Sequence, residues 1–416
     1  MQEAGERVSL AVRPDHVPPS LVIDFNMYSV PGGAWDAQAA FHTVQLASPD
    51  IFWTPHNGGH WVATRAEDVE MMLRDPARFS SKRVFLPRDD NAPRSLPLET
   101  DPPLHTELRK PLSRALFPKI VDDMEPRVRQ LVDDLIDELI GQGECDFVAD
   151  FANIMPMNIF LDLVDLPREE RHRLLPLVEK FIKGGTLEAR QEAQQAIFVY
   201  VTDIVRARRA NPGNDLASIV VNASVGDEMI SEMDAISYMT LILFGGLDTI
   251  AAMLSYITLF LATHPEHRAT LIERLDDDRF VRDAMEELFR RFGIVQAARV
   301  IQEDFEYKGV TFRKNDTILP INMLCGLDDR RVDNPLEVRF DRERPARHLA
   351  FGAGPHSCPG ATLARREIGI FLREWLRRIP DFSLKPGAKP FNLLGVTCGL
   401  ETLELVWPTA GNGASS

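Results

Sequence analysis

Apolar and polar positions change period several times along the chain. Through residue 35 no period is sustained and prolines recur, which predicts an irregular arm over 1–35. In "IFWTPHNGGHWVATR" two β-rich runs flank Asn57-Gly58-Gly59, a hairpin pattern, and "AEDVEMMLRDPARF" has the spacing of a short amphipathic helix. Residues 79–103 are rich in Pro, Asp and Arg and hold no period. Loops of this length in a compact domain usually serve as lids or substrate walls.

Helical spacing then dominates from 104 to about 294. Breaks are expected near Gly141-Gln142-Gly143, Pro167, Gly184-Gly185, Pro212-Gly213 and Pro265. After 299, "DFEYKGVTFRKNDTILPIN" alternates around Gly309 and around Asn315-Asp316, which predicts two short hairpins. A helix, "ATLARREIGIFLREWLRRI", precedes the strand runs "PDFSLKPG" and "CGLETLELVW", and 409–416, "TAGNGASS", reads as a disordered tail. The whole is mainly α with small β-sheets. No repeat, low-complexity segment or linker divides 1–416, so a single domain is expected.

One run, 239–262, "MTLILFGGLDTIAAMLSYITLFLA", is long enough to cross a bilayer. It carries Gly245-Gly246 and Asp248 at its middle, and no other segment supports a membrane topology, so a buried central helix is expected. The net charge of −15 works against nucleic acid or an anionic membrane as partner, since both favour a basic surface. Cys145, Cys325, Cys358 and Cys398 fit no CxxC or zinc spacing, and no signal peptide opens the chain. A cytoplasmic setting follows.

Cys358 stands apart, because "FGAGPHSCPG" (351–360) frames it with three glycines and two prolines and a helix starts directly after. A buried structural cysteine behaves as a small hydrophobe and needs no such frame. A cysteine held as thiolate does need backbone N–H groups, a helix N-terminus or a metal. Pro359 has no N–H, so Gly360 and Ala361 are the expected donors. Two more patterns stand out. Glu287 and Arg290 in "MEELFRRF" lie one helical turn apart, and "FGGLDT" (244–249) puts glycines, an acid and an alcohol inside the apolar helix. Helix-interior glycine costs about 1 kcal/mol against alanine, and an unused buried acid costs more.

Together these motifs resemble the cytochrome P450 family, the haem-thiolate monooxygenases. The signature F-x-x-G-x-x-x-C-x-G is filled by Phe351, Gly354, Cys358 and Gly360. "PEHRATLIERL", "GLDDR" and "LARREIGIFLREWLRRIPDFSL" extend the similarity over nearly the whole chain, nearest to the bacterial camphor 5-monooxygenase branch.

The resemblance implies a triangular-prism fold with haem b between the central helix and the cysteine loop. It makes Cys358 the axial ligand of the iron, with Phe351 and Gly360 beside the cofactor. His105, Arg109, Arg299 and His356 become partners of the propionates. It assigns Gly245 and Gly246 to an opening of the helix, Asp248 to proton delivery and Thr249 to hydrogen bonding with dioxygen. Glu287 and Arg290 form a buried ion pair joined by Arg342 or Arg344.

Phe85, Leu96, Leu241, Phe244, Val295 and Val396 would line an apolar substrate pocket. No tyrosine occurs between 79 and 103 to hold camphor, Phe244 is bulkier than the family's valine, and Ala297 replaces an aspartate near a propionate. The implied substrate is a terpenoid or norisoprenoid ketone, ionone-like. Electrons would come from a [2Fe-2S] ferredoxin and its NADH-dependent reductase, docking a monomer on a basic patch of Arg109, Lys110, Arg365 and Arg366. A non-catalytic haem sensor or a peroxygenase would lack the intact Asp248-Thr249 pair.

Overall fold

The structure, a computed structural model, describes residues 10–183, 186–342 and 347–409. The first nine residues of the arm, Gly184-Gly185, Arg344 and residues 410–416 of the expected tail lie outside the described residues.

The sequence hairpin at Asn57 forms as expected, strand Ile51–Thr54 pairing antiparallel with His60–Ala63 and Trp53 opposite Trp61. Its turn uses the left-handed region at Asn57, Gly58 and Gly59 (φ 53°, 88° and 80°). The hairpin is one edge of a five-stranded sheet, whose order continues through Thr317–Pro320, Arg299–Ile301 and Phe79–Ser80. Strand Phe305–Tyr307 pairs with Val310–Phe312 across Lys308-Gly309, the first of the two expected hairpins. The second does not form. At Asn315 (φ 73°) the chain turns away, and Thr317–Pro320, buried throughout, pairs parallel with His60–Ala63 and antiparallel with Arg299–Ile301. Its four buried residues satisfy more apolar surface inside the large sheet than on a two-stranded ribbon.

The apolar run at 239–262 lies within the central helix, Glu232–Thr263, capped by the Ser231 hydroxyl, which accepts from the Asp234 amide. It ends where Pro265 opens the next helix. By length and composition the helix would serve as a membrane span, but its apolar positions are spent on the core. Residues from 235 to 247 join one apolar cluster, with helices Leu104–Ala115 and Ile154–Leu163. Residues from 250 to 262 join another, with Pro118–Ile140, Asp278–Arg291 and Ala361–Arg378. The change of partner falls between Leu247 and Ile250, at Asp248-Thr249. Short strands interrupt the helical half at Glu144–Asp146, beside the break expected at 141–143, and at Ser224–Val225 and Glu228–Met229, where the sequence pattern shows no break.

Candidate active site

The cysteine loop is held by its own backbone. The Cys358 amide donates to the Phe351 carbonyl at 2.8 Å, and Gly352 and Gly354 adopt φ of 69° and 68°. A Cβ at Gly354 would sit 2.3 Å from the carbonyl oxygen of Leu73, so only glycine lets the loop lie against helix Ala66–Arg74. Phe351 packs edge-on against Phe289 (5.2 Å, 80°) beneath the guanidinium of Arg365. Cys145, Cys325 and Cys398 are buried, and burial pushes their thiols up. Cys358 is exposed, and desolvation raises its thiol above the ordinary range. The amides of Gly360 and Ala361 and the charges of Arg109 and Arg365 act the other way, favouring the thiolate.

Below the loop, Arg290 donates to both carboxylate oxygens of Glu287 at 2.8 Å, and neither residue is more than 1% exposed. Arg342 adds a third side, Nε to Oε1 at 3.0 Å, and so fills the place left open between it and Arg344. The Arg339 amide, 2.9 Å away, also donates to Oε1. Arg290 spends its remaining donors on the carbonyls of Gly326, Pro335 and Glu337, tying helix Asp278–Arg291 to the chain that leads into the cysteine loop.

His105, Arg109, Arg299 and His356, far apart in sequence, come together beside this loop. The rings of His105 and His356 are 3.9 Å apart, and each leaves a buried Nε2 without a partner. Arg109 donates to the Ser357 carbonyl. Arg299, on an inner strand, donates to the carbonyls of Ala297 (3.2 Å) and Ala298 (2.8 Å). Among the described residues neither arginine has a carboxylate in ion-pair contact, and desolvation lowers Arg299 to about 10 and the imidazoles of His105 and His356 to about 4 and about 3. Two desolvated guanidiniums and two orphaned imidazole nitrogens fit a ligand that brings carboxylates of its own.

On the central helix, Gly245 and Gly246 are exposed between packed turns, and a Cβ at either would meet nothing within 4 Å. The helix itself does not open: it is continuous from 232 to 263, and the Thr249 hydroxyl donates to the Gly245 carbonyl at 2.8 Å. The expected opening is therefore a bare surface on an unbroken helix, made by missing side chains. Behind it a cavity of about 100 Å³ is lined by Asp248, Asn153, Glu179, Ser255 and Thr397, among others.

The family model described as cytochrome P450 matches residues 157–394, more than half of the chain. The chain belongs to the cytochrome P450 family. It is 34% identical to a probable cytochrome P450 127A1 of Sinorhizobium fredii, over 97% of this chain and 98% of that one. The solved structure of cytochrome P450 CYP101C1 superposes with a TM-score of 0.88 at 37% identity, and CYP101J2 with 0.86 at 34%, each covering 96% of this chain and 100% of its own. The two solved structures are camphor-P450-like members of the CYP101 family. The fold is the P450 fold, and the P450 family's cofactor is haem b with thiolate-ligated iron.

Of the expected pocket residues of this P450, Leu96 is buried among helices, Leu241 and Phe244 lie partly exposed on the central helix, and Phe85 is 40% exposed on the loop. Val295 and Val396 lie on adjoining segments, Val295 bridging Thr397 and the Gln296 amide donating to the Val396 carbonyl. The sequence reading missed Phe181, whose ring lies 5.1 Å from that of Phe244. The basic patch needs correction. Arg365 is engaged by Glu286 (2.5 Å) and Arg366 by Asp122 (2.5 Å) and Glu125 (3.3 Å), so neither is a free cation. Lys110 is likewise paired with Glu107. In their place, Arg114 makes no ion pair among the described residues, and it lines a surface hollow of about 890 Å³ with Phe117, Ile120 and Pro355. Its i, i+5 distance from Arg109 hid it in the sequence, where no motif marks it.

Proposed function

We propose that this P450 hydroxylates a small apolar terpenoid or norisoprenoid ketone, ionone-like in class, with electrons from a [2Fe-2S] ferredoxin served by an NADH-dependent reductase. The observation that carries the substrate class is the pocket wall: Leu96, Leu241, Phe244, Val295 and Val396 are apolar, and 79–103 offers no phenol to a ketone. Position in such a pocket, more than polar anchoring, selects the carbon that reacts.

In this reading the cysteine loop and the bare face of the central helix would hold haem b, whose thiolate-ligated iron would supply dioxygen activation and O–O cleavage when bound. Cys358 is the ligand. The Gly360 and Ala361 amides hold the negative charge on its sulfur, and Arg109 and Arg365 support it. His105, Arg109, Arg299 and His356 would take the propionates, and Phe351 and Gly360 would lie beside the cofactor. Gly245 leaves the space that dioxygen uses. Asp248, which lines the cavity at Asn153 and Glu179, would take protons from the solvent side, and Thr249 Oγ1, one residue on, would pass them toward the pocket by turning from the Gly245 carbonyl to which it donates in the helix. The Glu287–Arg290 pair is structural.

Ferredoxin docking is assigned to the hollow at Arg109, Arg114 and Phe117, where exposed apolar surface and cations suit an acidic partner. The protein acts as a cytoplasmic monomer of one domain, with neither nucleic acid nor membrane as partner. A substrate panel read by the low-to-high-spin Soret shift tests the substrate class. Ionones should give the large shift; camphor giving the largest and ionones none would contradict it.

A further inference from the structure

The loop 79–103 is laced internally by two carboxylates. Glu99, 2% exposed, accepts from the Val84 amide (3.1 Å) and the Ser95 amide (2.9 Å), joining the two limbs. Asp101 accepts from the Ser81 amide (2.8 Å) and the Ser80 hydroxyl, closing the base. These bonds hold the loop's shape near its base, so the ties of each limb to the rest of the chain decide where the loop can part from its neighbours.

Those ties differ between the limbs. The first limb starts as the sheet strand Phe79–Ser80, paired with Arg299–Ile301, and beyond it the Ala298 amide donates to the Val84 carbonyl (2.8 Å), the Tyr28 hydroxyl to the Leu86 carbonyl (2.5 Å) and Arg88 to the Asn315 carbonyl (2.9 Å). The second limb meets the central helix at Ser237. The Leu96 amide donates to the Ser237 hydroxyl (3.0 Å), which donates in turn to the Arg94 carbonyl (2.5 Å). Among the described residues, no other hydrogen bond joins 93–97 to a residue outside the loop. Ser237 stands four and seven residues before Leu241 and Phe244, on the helix face that carries the pocket wall.

We propose that Ser237 is a positioning residue which sets how readily molecules enter and leave the pocket: its hydroxyl latches the loop to the central helix, and the entrance opens at residues 94–96. The Leu96 side chain follows, because the backbone that carries it is fixed by the same hydroxyl. This rests on the haem site alone and is independent of the substrate proposed above.

The test uses the purified ferric holoenzyme and 4-phenylimidazole, which binds haem iron and reports arrival by a Soret red shift. Stopped-flow association and dissociation rates are compared for wild type, Ser237→Ala, Ser237→Thr and Tyr28→Phe, each checked for an unchanged carbon-monoxide difference spectrum. Ser237→Ala should raise both rates about fivefold or more, the size expected on losing roughly two net hydrogen bonds, with little change in affinity. Ser237→Thr, which keeps the hydroxyl, should restore them, and Tyr28→Phe should change them less than Ser237→Ala does. Hydrogen exchange over 94–96 in wild type should slow when 4-phenylimidazole is bound, a readout that needs no variant to fold. Rates in Ser237→Ala within about twofold of wild type, equal acceleration in Ser237→Thr, or unaltered exchange at 94–96 would each overturn the assignment.

Discussion

Two buried glutamates show how single residues set the chemistry here. Glu287 accepts from Arg290, Arg342 and the Arg339 amide, so both of its oxygens are satisfied as a carboxylate. Removing one member of such a cluster leaves a buried charge without its partner, typically a loss of about 3–5 kcal/mol. Glu367, on helix Ala361–Arg378, is 3% exposed and its Oε2 has no partner; burial pushes its carboxyl up from 4.5 to about 8. The folded protein therefore keeps this proton while the unfolded chain gives it up. Stability is lost as pH rises from about 4.5 to about 8, the window between the two values. Glu367→Gln cannot ionise. Thermal melts should show it gaining on wild type between about pH 5 and about pH 8, with the gap closing at the acid end. A gap independent of pH would mean that Glu367 is ionised in the fold. The sequence exposed Glu287 through its spacing to Arg290, but Glu367 sits among arginines in "LARREIGIF" and looks there like a solvated charge.

Among the elements, the central helix carries the clearest signature. Its apolar length, Asp248 and paired glycines were legible as a buried helix with a purpose, because each departs from what a helix prefers. How the glycines act was not legible: the expected opening is a flat bare patch on a continuous helix. That difference makes a two-sided prediction. In Gly245→Leu the new side chain meets no protein atom at Cβ, and leucine gains somewhat under about 1 kcal/mol in helix propensity. The apoprotein should melt no lower than wild type while haem per chain falls sharply; normal haem content with a lowered melt would contradict a cofactor on this face. The strand at Thr317–Pro320 taught a complementary lesson. Turn chemistry at Asn315 was read correctly, but a local pattern cannot tell that the next strand joins a distant sheet.

For the molecule as a whole, family membership was legible because thiolate ligation, the buried ion pair and the acid-alcohol step each need rare residues at fixed spacing. Surface behaviour was not. Arg365 and Arg366 look free in sequence, yet Glu286 and Asp122, more than 75 residues away, neutralise them. The gathering of His105, Arg109, Arg299 and His356 likewise depends on the long-range path of the chain, and the structure brings all four beside the cysteine loop with no carboxylate in ion-pair contact with either arginine among the described residues. The account therefore turns on Cys358 as a thiolate facing a haem between that loop and the central helix. The measurement closest to this claim is the reduced carbon-monoxide difference spectrum of wild type and Cys358→Ala. Wild type should give the red-shifted Soret band of thiolate ligation, and the variant should lose it. An imidazole-type band in wild type, or a red-shifted band that survives in Cys358→Ala, would contradict the account.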